Sequence, residues 1–263
     1  MVAILNKIGR ELAGYLSQRT HVHGSGTVTP IAQLIETLQP GDVLLVEGNS
    51  RFSTAIKYLT QSTWSHAALY VGSGRLPEMT ERSHCFVEAD VVEGVRGIGL
   101  DDFEGLPTRI CRPVGLTEFD RESLITFAIA RIGYRYDLRN VIDLARYLLP
   151  TPPVPTRFRR RMIALGSGDP TRAICSTLIS QAFQSIGYPI LPSVERRSAA
   201  TAACPGCMEE VLHIRHHSLF TPRDFDVSPY FRIVKPEIES GFDYRQLAWE
   251  GPLSRGSDTH AIV

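Results

Sequence analysis

Cys175 stands in the segment Ala173-Ile174-Cys175-Ser176-Thr177, directly after the turn-rich stretch 166–170. This pattern predicts that a helix begins at the cysteine. Unpaired N–H groups and the partial positive charge at a helix N-terminus lower the pKa of a thiol and favour the thiolate. Since the thiolate is the attacking form, Cys175 is the candidate nucleophile of a thiol-dependent reaction.

A nucleophilic thiol needs a base that takes its proton and a third polar group that orients this base. His66 and Glu88 are the candidates, because each lies in a predicted strand. If the two strands are neighbours, Glu88 accepts a hydrogen bond from one imidazole nitrogen while the other nitrogen faces the thiol. The alternatives are a cysteine that packs in the core, a histidine that is only hydrogen-bonded, and a glutamate that faces solvent.

A second group of residues has the composition of a metal site. Cys204 and Cys207 are followed by His213, His216 and His217, and zinc accepts two thiolates and two imidazoles. However, the spacing from Cys207 to His213 is shorter than in a zinc finger, and no strand is evident before the cysteines. A flexible loop with incidental thiols is the expected alternative, and we expect no metal and no cofactor at the catalytic residues.

Hydrophobic periodicity and turn residues predict a mixed α and β chain. The predicted strands cover 43–47, 65–72, 85–92, 108–113 and 230–234, and the predicted helices cover 31–38, 52–61, 121–132, 141–149 and the segment from Cys175 to about 186. Strands clustered between helices indicate an α+β fold. The helix of Cys175 is expected to pack on the sheet.

The composition excludes several classes of function. Lys+Arg and Asp+Glu both number 28 in 263 residues, so no overall field attracts nucleic acid. The five cysteines do not suggest a disulfide framework, and the N-terminal residues do not resemble a signal peptide. No segment is long and apolar enough to span a bilayer. These observations predict a cytoplasmic protein, with export by another route left open.

The expected organisation is one domain with extensions. Residues 1–30 read as an amphipathic helix and linker, 31–250 as the domain, and 251–263 as a disordered tail. An insertion at 150–170 contains the cluster Arg157-Phe158-Arg159-Arg160-Arg161-Met162. Peripheral membrane contact by the first helix and this cluster is one interpretation, and packing of the helix with a solvated loop is the other.

Four motifs in order resemble a known family. They are Pro40-Gly41-Asp42-Val43-Leu44-Leu45-Val46, Ser65-His66-Ala67-Ala68-Leu69-Tyr70-Val71-Gly72, Val87-Glu88-Ala89 and Ile174-Cys175-Ser176. Together they resemble the circularly permuted NlpC-type papain-like cysteine hydrolases, in particular the YiiX/YebB-like branch. The resemblance covers roughly residues 38 to 190. In that family the histidine strand precedes the cysteine helix, the reverse of ordinary papain order.

The resemblance implies a small antiparallel sheet, curled towards a barrel, with the nucleophile helix packed against it. It also implies Cys175 as nucleophile, His66 as general base, Glu88 as orienting residue and an acyl-enzyme thioester as intermediate. Tyr136 stands in a turn that resembles one found ahead of the nucleophile helix in such hydrolases. Peptide amides, including those of cell walls, and lipid acyl esters remain alternative substrates. A catalytically idle module that binds wall peptides or lipids also remains open, as does the oligomeric state.

Overall fold

The computed structural model of the chain describes residues 28–76, 85–90, 93–134, 174–198, 204, 206–243 and 245, and for residues 174 and 175 it describes the backbone alone. The described strands are β1 (Val43–Val46), β2 (His66–Gly72), β3 (Cys85–Asp90), β4 (Gly94–Gly99), β5 (Thr108–Pro113), β6 (Ser193–Ser198), β7 (Met208–His213) and β8 (Phe231–Val234). The described helices are α1 (Ile31–Thr37), α2 (Arg51–Thr60), α3 (Glu118–Ile129), α4 (Ile174–Ser185), α5 (Pro222–Asp226) and α6 (Pro236–Glu239).

The described strands form a six-stranded antiparallel sheet in the order β4-β3-β2-β1-β5-β8, with a separate hairpin of β6 and β7. The central strand β1 reads Val-Leu-Leu-Val and is buried throughout, since both of its faces are covered. It pairs with β2 and β5, so that Val46 lies opposite both His66 and Thr108. The mixed composition of helices and antiparallel strands confirms the predicted α+β class.

Side chains alternate between two cores, one on each face of the sheet. The first core lies between the sheet and helices α3 and α4, where Leu69 and Val87 pack with Leu124, Ile179 and Phe183. The second core lies on the opposite face. Its members include Leu34, Leu44, Tyr70, Phe86 and Phe103.

Helix α4, which carries Cys175 as its second residue, packs on β2 and β3 as predicted. Leu178, Ile179, Ala182 and Phe183 of this helix are buried in the first core. Their spacing of three and four residues places them on one face of the helix. This face therefore anchors α4 to the two strands that carry His66 and Glu88.

Several predicted boundaries shift by a few residues. The helix predicted at 121–132 begins earlier, at Glu118, because Thr117 accepts a hydrogen bond from the Asp120 N–H and caps it. The predictions for the N-terminal helix, for 141–149, for the 150–170 insertion and for the tail after 251 lie outside the described residues.

The segment after residue 191 contains more regular structure than the sequence suggests. One strand was predicted there, at 230–234, whereas β6, β7, α5 and α6 are also formed. Strand β6 directly precedes the two cysteines, which corrects the expectation that no strand does so. Every residue of β6 is exposed, so the strand has no hydrophobic alternation that a sequence pattern could reveal.

Candidate active site

His66 and Glu88 form a hydrogen-bonded pair. His66 Nε2 lies 2.5 Å from Glu88 Oε2. Glu88 is 4% exposed, which contradicts the alternative of a solvent-facing glutamate. The predicted contact between the two side chains is therefore present.

The register of the sheet explains why these two residues meet. Leu69 of β2 pairs with Val87 of β3, so Ala68 stands beside Glu88 and His66 lies two residues further along. Diagonal neighbours on adjacent antiparallel strands are close enough for long side chains to touch. Because side chains alternate, His66 and Glu88 share the face of Ala68 and Phe86.

Arg96 of β4 is a third member of this group. Its Nε and Nη2 lie 2.9 and 2.8 Å from Glu88 Oε1. Burial by itself raises the pKa of the Glu88 carboxyl, but the charges and hydrogen bonds of His66 and Arg96 outweigh burial and lower that pKa. Glu88 is therefore a buried, ionised carboxylate at neutral pH.

The ionised carboxylate defines the proton positions on His66. A carboxylate only accepts hydrogen bonds, so the proton between the two groups belongs to Nε2. In the neutral imidazole, Nδ1 then carries the lone pair. The atom of His66 that can take a proton is therefore the one directed away from Glu88.

A cavity of about 250 Å³ adjoins the pair. Its apolar wall comes from the second core, and its polar rim comes from the loop after β1 and from β3 and β4. Lining residues include Val46, Phe52, Ile98, Phe103 and Leu106 on the apolar side, and Asn49, Ser50, Asp90, Arg96 and Asp102 on the polar side. The imidazole and the carboxylate thus border a space in which a substrate group can be held.

The loop between β1 and α2 is pressed against the start of β2. The Gly48 N–H donates to Ser65 Oγ at 2.9 Å, immediately before His66. A Cβ at Gly48 would lie 2.3 Å from Ser53 Oγ and 3.0 Å from Ser65 Oγ, so a larger residue does not fit without movement. Gly48 therefore allows this loop to lie close against Ser53 and Ser65 at the edge of the cavity.

Trp64, two residues before β2, is held by a second set of contacts. Its Nε1–H donates to Asp226 Oδ2 at 3.1 Å, and Asp226 also accepts from Arg109 Nη1 at 2.6 Å. The Arg109 guanidinium lies 4.8 Å from the centre of the Trp64 ring. Helix α5 thus holds the segment that leads into β2 and positions His66.

Helix α4, which carries Cys175, lies on the other face of the sheet. Leu178 and Ile179 pack in the first core, whereas His66 and Glu88 project to the face of the second core. His66 is the first residue of β2 and therefore lies at the end of this strand. The side chain of Cys175 lies outside the described residues.

The described residues do not form the zinc site that the sequence left as the alternative to a flexible loop. Cys204 and Cys207 are joined by a disulfide, which also corrects the expectation of unpaired thiols in a flexible loop. His213 Nε2 lies 2.8 Å from Glu195 Oε2, and His216 Nδ1 lies 2.7 Å from Ser218 Oγ. Within the described ranges, no group of three His, Cys, Asp or Glu residues is arranged to hold a metal ion.

Other predicted features lie outside the described residues, namely Tyr136 and the cluster 157–162. Within the part of the chain that the structure covers, no helix combines the length and the apolarity needed to cross a bilayer.

Residues 37–147 match the family model of the permuted papain-like amidases, the YaeF/YiiX or C92 family. Over these residues the chain is similar to the YiiX-like, permuted papain-like family. The match supports a cysteine hydrolase at a coarse level, as the resemblance implies. It includes His66, Glu88 and Arg96 but ends before Cys175, so the YiiX-like match leaves the nucleophile to be argued from the residues.

The crystal structure of the metalloprotein YiiX from Escherichia coli O157:H7 is similar to the chain, with a TM-score of 0.45 and 16% sequence identity over 75% of this chain and 96% of that chain. No curated protein sequence matches the chain significantly.

Sequence reasoning missed Arg96, Gly48 and the Trp64–Asp226 contact. The segment Gly94-Val95-Arg96-Gly97-Ile98-Gly99 is half glycine, and glycine is unfavourable in strands, so β4 gave no strand signal. Arg96 between Gly94 and Gly97 was the only feature of this segment that could have indicated a functional residue. The contact of Trp64 with Asp226 joins residues far apart in sequence, which no local pattern reveals.

Proposed function

We propose that the protein hydrolyses amide bonds with Cys175 as nucleophile, His66 as general base and Glu88 as the residue that orients His66. The observation that carries this proposal is the His66 Nε2 to Glu88 Oε2 hydrogen bond of 2.5 Å beside a cavity. Because Nε2 faces the carboxylate, Nδ1 is the ring nitrogen that takes the thiol proton in this proposal. The amidase family model supports the amide as the bond cleaved.

The proposed reaction has two steps. Cys175 loses its proton to His66 Nδ1, and the thiolate attacks the carbonyl carbon of the amide. The resulting imidazolium gives its proton to the leaving nitrogen, which leaves a thioester on Cys175. Water then attacks the thioester while His66 takes a proton, so that the carboxylic acid and the thiol are released.

The N-terminal part of α4 also contributes to this mechanism. Cys175 is the second residue of the helix, where backbone N–H groups have no partner within the helix. These groups and the helix dipole stabilise the thiolate before attack and the oxyanion during attack. The buried face of α4 keeps this end of the helix in a fixed position relative to β2.

Selective labelling of Cys175 by iodoacetamide is not a sufficient test. Cys85 and Cys111 are buried, and Cys204 and Cys207 are bonded to each other. A Cys175 thiol that is accessible but not activated by a base would therefore also be labelled first. The dependence of the labelling rate on pH and on His66 is the discriminating measurement.

We expect the alkylation rate of Cys175 in the parent protein to remain high below the ordinary thiol pKa of about 8.5. His66→Ala should reduce the rate at pH 6.5 at least about tenfold, because the imidazolium no longer stabilises the thiolate. His213→Ala, which alters an exposed histidine of the hairpin, is the matched control and should leave the rate unchanged.

Intact mass measurement after incubation with peptidyl aminomethylcoumarin amides then tests the reaction itself. An acyl adduct on the parent protein and its absence in Cys175→Ala are expected. An alkylation rate that follows the ordinary thiol titration, and that is the same in His66→Ala, would contradict the proposed roles of both residues.

A further inference from the structure

Arg96 occupies a place in the sheet that ties it directly to the candidate catalytic pair. Glu88 and Arg96 are register partners on β3 and β4. With His66 on β2, three adjacent strands each contribute one polar residue to the same face. Oppositely charged residues that face each other across a strand pair stabilise one another, so the register itself selects this contact.

The two oxygens of Glu88 are divided between its neighbours. Oε2 faces His66 Nε2 at 2.5 Å, and Oε1 accepts from Arg96 Nε and Nη2 at 2.9 and 2.8 Å. Both of these guanidinium nitrogens converge on Oε1, so the positive charge of Arg96 lies beside this oxygen and Oε2 is left to His66.

Among the described residues, the other charged groups that line the cavity or contact Arg96 are carboxylates. Asp90 follows Glu88 on β3, and its Oδ2 lies 4.0 Å from Arg96 Nη2. Glu93, in the turn before β4, lies 2.6 Å from Arg96 Nη1. Asp102, after β4, accepts from the Gly99 N–H and also borders the cavity. In the described part of the chain, Arg96 is thus the arginine that lines the cavity, together with the carboxylates of Glu88, Asp90 and Asp102.

We propose that Arg96 is a positioning residue that acts on His66 through Glu88, by binding Oε1 and by opposing the charge of the carboxylate. This inference rests on the proposed function, since it assigns a residue to the same site. It makes the orienting group a Glu–Arg pair rather than Glu88 alone. Arg96 does not itself take part in proton transfer.

The charge of Arg96 has a definite effect on His66. A positive charge behind the carboxylate weakens the stabilisation that Glu88 gives to the imidazolium. Removal of this charge leaves Glu88 ionised by its contact with protonated His66, so the imidazolium becomes more stable. Arg96→Gln should therefore raise the pH at which His66 titrates.

The experiment follows the titration of His66 by nitrogen-15 NMR in the full chain carrying Cys175→Ala, so that the thiol does not contribute. Arg96→Gln should move the midpoint upward by about 0.5 to 1 pH unit, whereas Arg96→Lys should stay close to the parent. Arg75→Gln is the matched control. It removes another arginine with a two-nitrogen contact to a carboxylate, that of Glu122, at a similar exposure of 35% against 38%.

The expected pattern is an upward shift in Arg96→Gln, little change in Arg96→Lys and none in Arg75→Gln. Equal midpoints in Arg96→Gln and Arg75→Gln would overturn the proposal, and so would a Lys variant that behaves like the Gln variant. If Arg96→Gln does not fold, Glu93→Gln at the exposed rim serves instead. It should move the midpoint downward, and no movement would overturn the proposal.

The result for Arg96 can be distinguished from the result for the proposed function. A shifted His66 titration together with a Cys175 alkylation rate that does not depend on His66 supports Arg96 and contradicts the hydrolase mechanism. A His66-dependent alkylation rate together with an unshifted titration supports the mechanism and contradicts the role of Arg96.

Discussion

At the scale of single residues, the described part of the site is organised around one buried carboxylate. Glu88 is 4% exposed and has a charged or hydrogen-bonding partner at each oxygen. An ionised group at this depth is tolerated only when its partners compensate for the lost hydration. The hydrogen bond that compensates Glu88 at Oε2 is also the one that holds the ring of His66.

Glu88→Gln should lower the free energy of unfolding by about 3 kcal/mol at pH 7, because His66 and Arg96 lose their common charged partner. The pKa of Glu88 is lower in the folded protein than its ordinary value of 4.5, so the unfolded chain binds more protons in acid. The stabilisation is therefore present above that value and is lost as the pH falls through the folded pKa.

Urea unfolding of the parent and of Glu88→Gln at pH 7 and at several values below 4.5 checks this prediction. The difference between the two proteins should narrow in acid. Glu122→Gln, which removes an exposed carboxylate also paired with an arginine, should have a smaller effect at pH 7. A difference that is independent of pH would mean that packing, and not charge, accounts for the loss.

At the scale of elements, the start of β2 is held from two sides. The loop after β1 contacts it through Gly48 and Ser65, and α5 holds Trp64 through Asp226. The first turn of α2 is fixed as well, because Ser50 Oγ accepts from the Ser53 N–H at 3.0 Å. His66 thus projects from a rigid strand end rather than from a loop.

Gly48→Ala should destabilise the protein by about 1 to 3 kcal/mol, since its Cβ has no room beside Ser53 and Ser65. The double variant Gly48→Ala with Ser53→Ala should recover part of this loss, because it removes the nearest clashing atom. Thermal unfolding measures both effects.

Gly206→Ala is the control for this pair, because nothing lies within 4 Å of a Cβ at that position. It should leave the midpoint of unfolding unchanged. Equal midpoints in Gly48→Ala and Gly206→Ala would show that the loop moves freely enough to accept a side chain.

At the scale of the whole molecule, the segment after α4 is part of the domain and not a loose tail. Strand β8 extends the main sheet beside β5, with Val234 opposite Ile110. Phe225 of α5 and Phe231 of β8 pack against Phe183 of α4, with ring centres 6.3 and 5.1 Å from it. Helix α4 is therefore covered by residues that follow it in the chain.

Phe225→Ala should lower the free energy of unfolding by about 3 to 5 kcal/mol, because Phe225 is fully buried beside Phe183 and Phe231. Phe119→Ala, at a position that is 80% exposed, should have almost no effect. Denaturant unfolding compares the two. A small effect of Phe225→Ala would mean that α5 contributes little to the packing of α4.

Some elements follow from local sequence, whereas others depend on partners. The strands β1, β2, β3 and β5 were predictable because apolar runs are bounded by turn residues. The glycines of β4 and the polar residues of β6 leave no hydrophobic pattern from which those strands could be predicted. The disulfide between Cys204 and Cys207 was not expected, since the spacing of two thiols does not reveal their oxidation state.

The sequence by itself determined the α+β class, the order of histidine strand before cysteine helix and the choice of Cys175, His66 and Glu88 as candidates. These depend on residue type and on periodicity, which are local properties. The tertiary structure decided that His66 and Glu88 touch, that Arg96 contacts the same carboxylate, and that α4 lies on the opposite face of the sheet. Such contacts depend on strand register, which is set by packing across the whole sheet and not by neighbours in the chain.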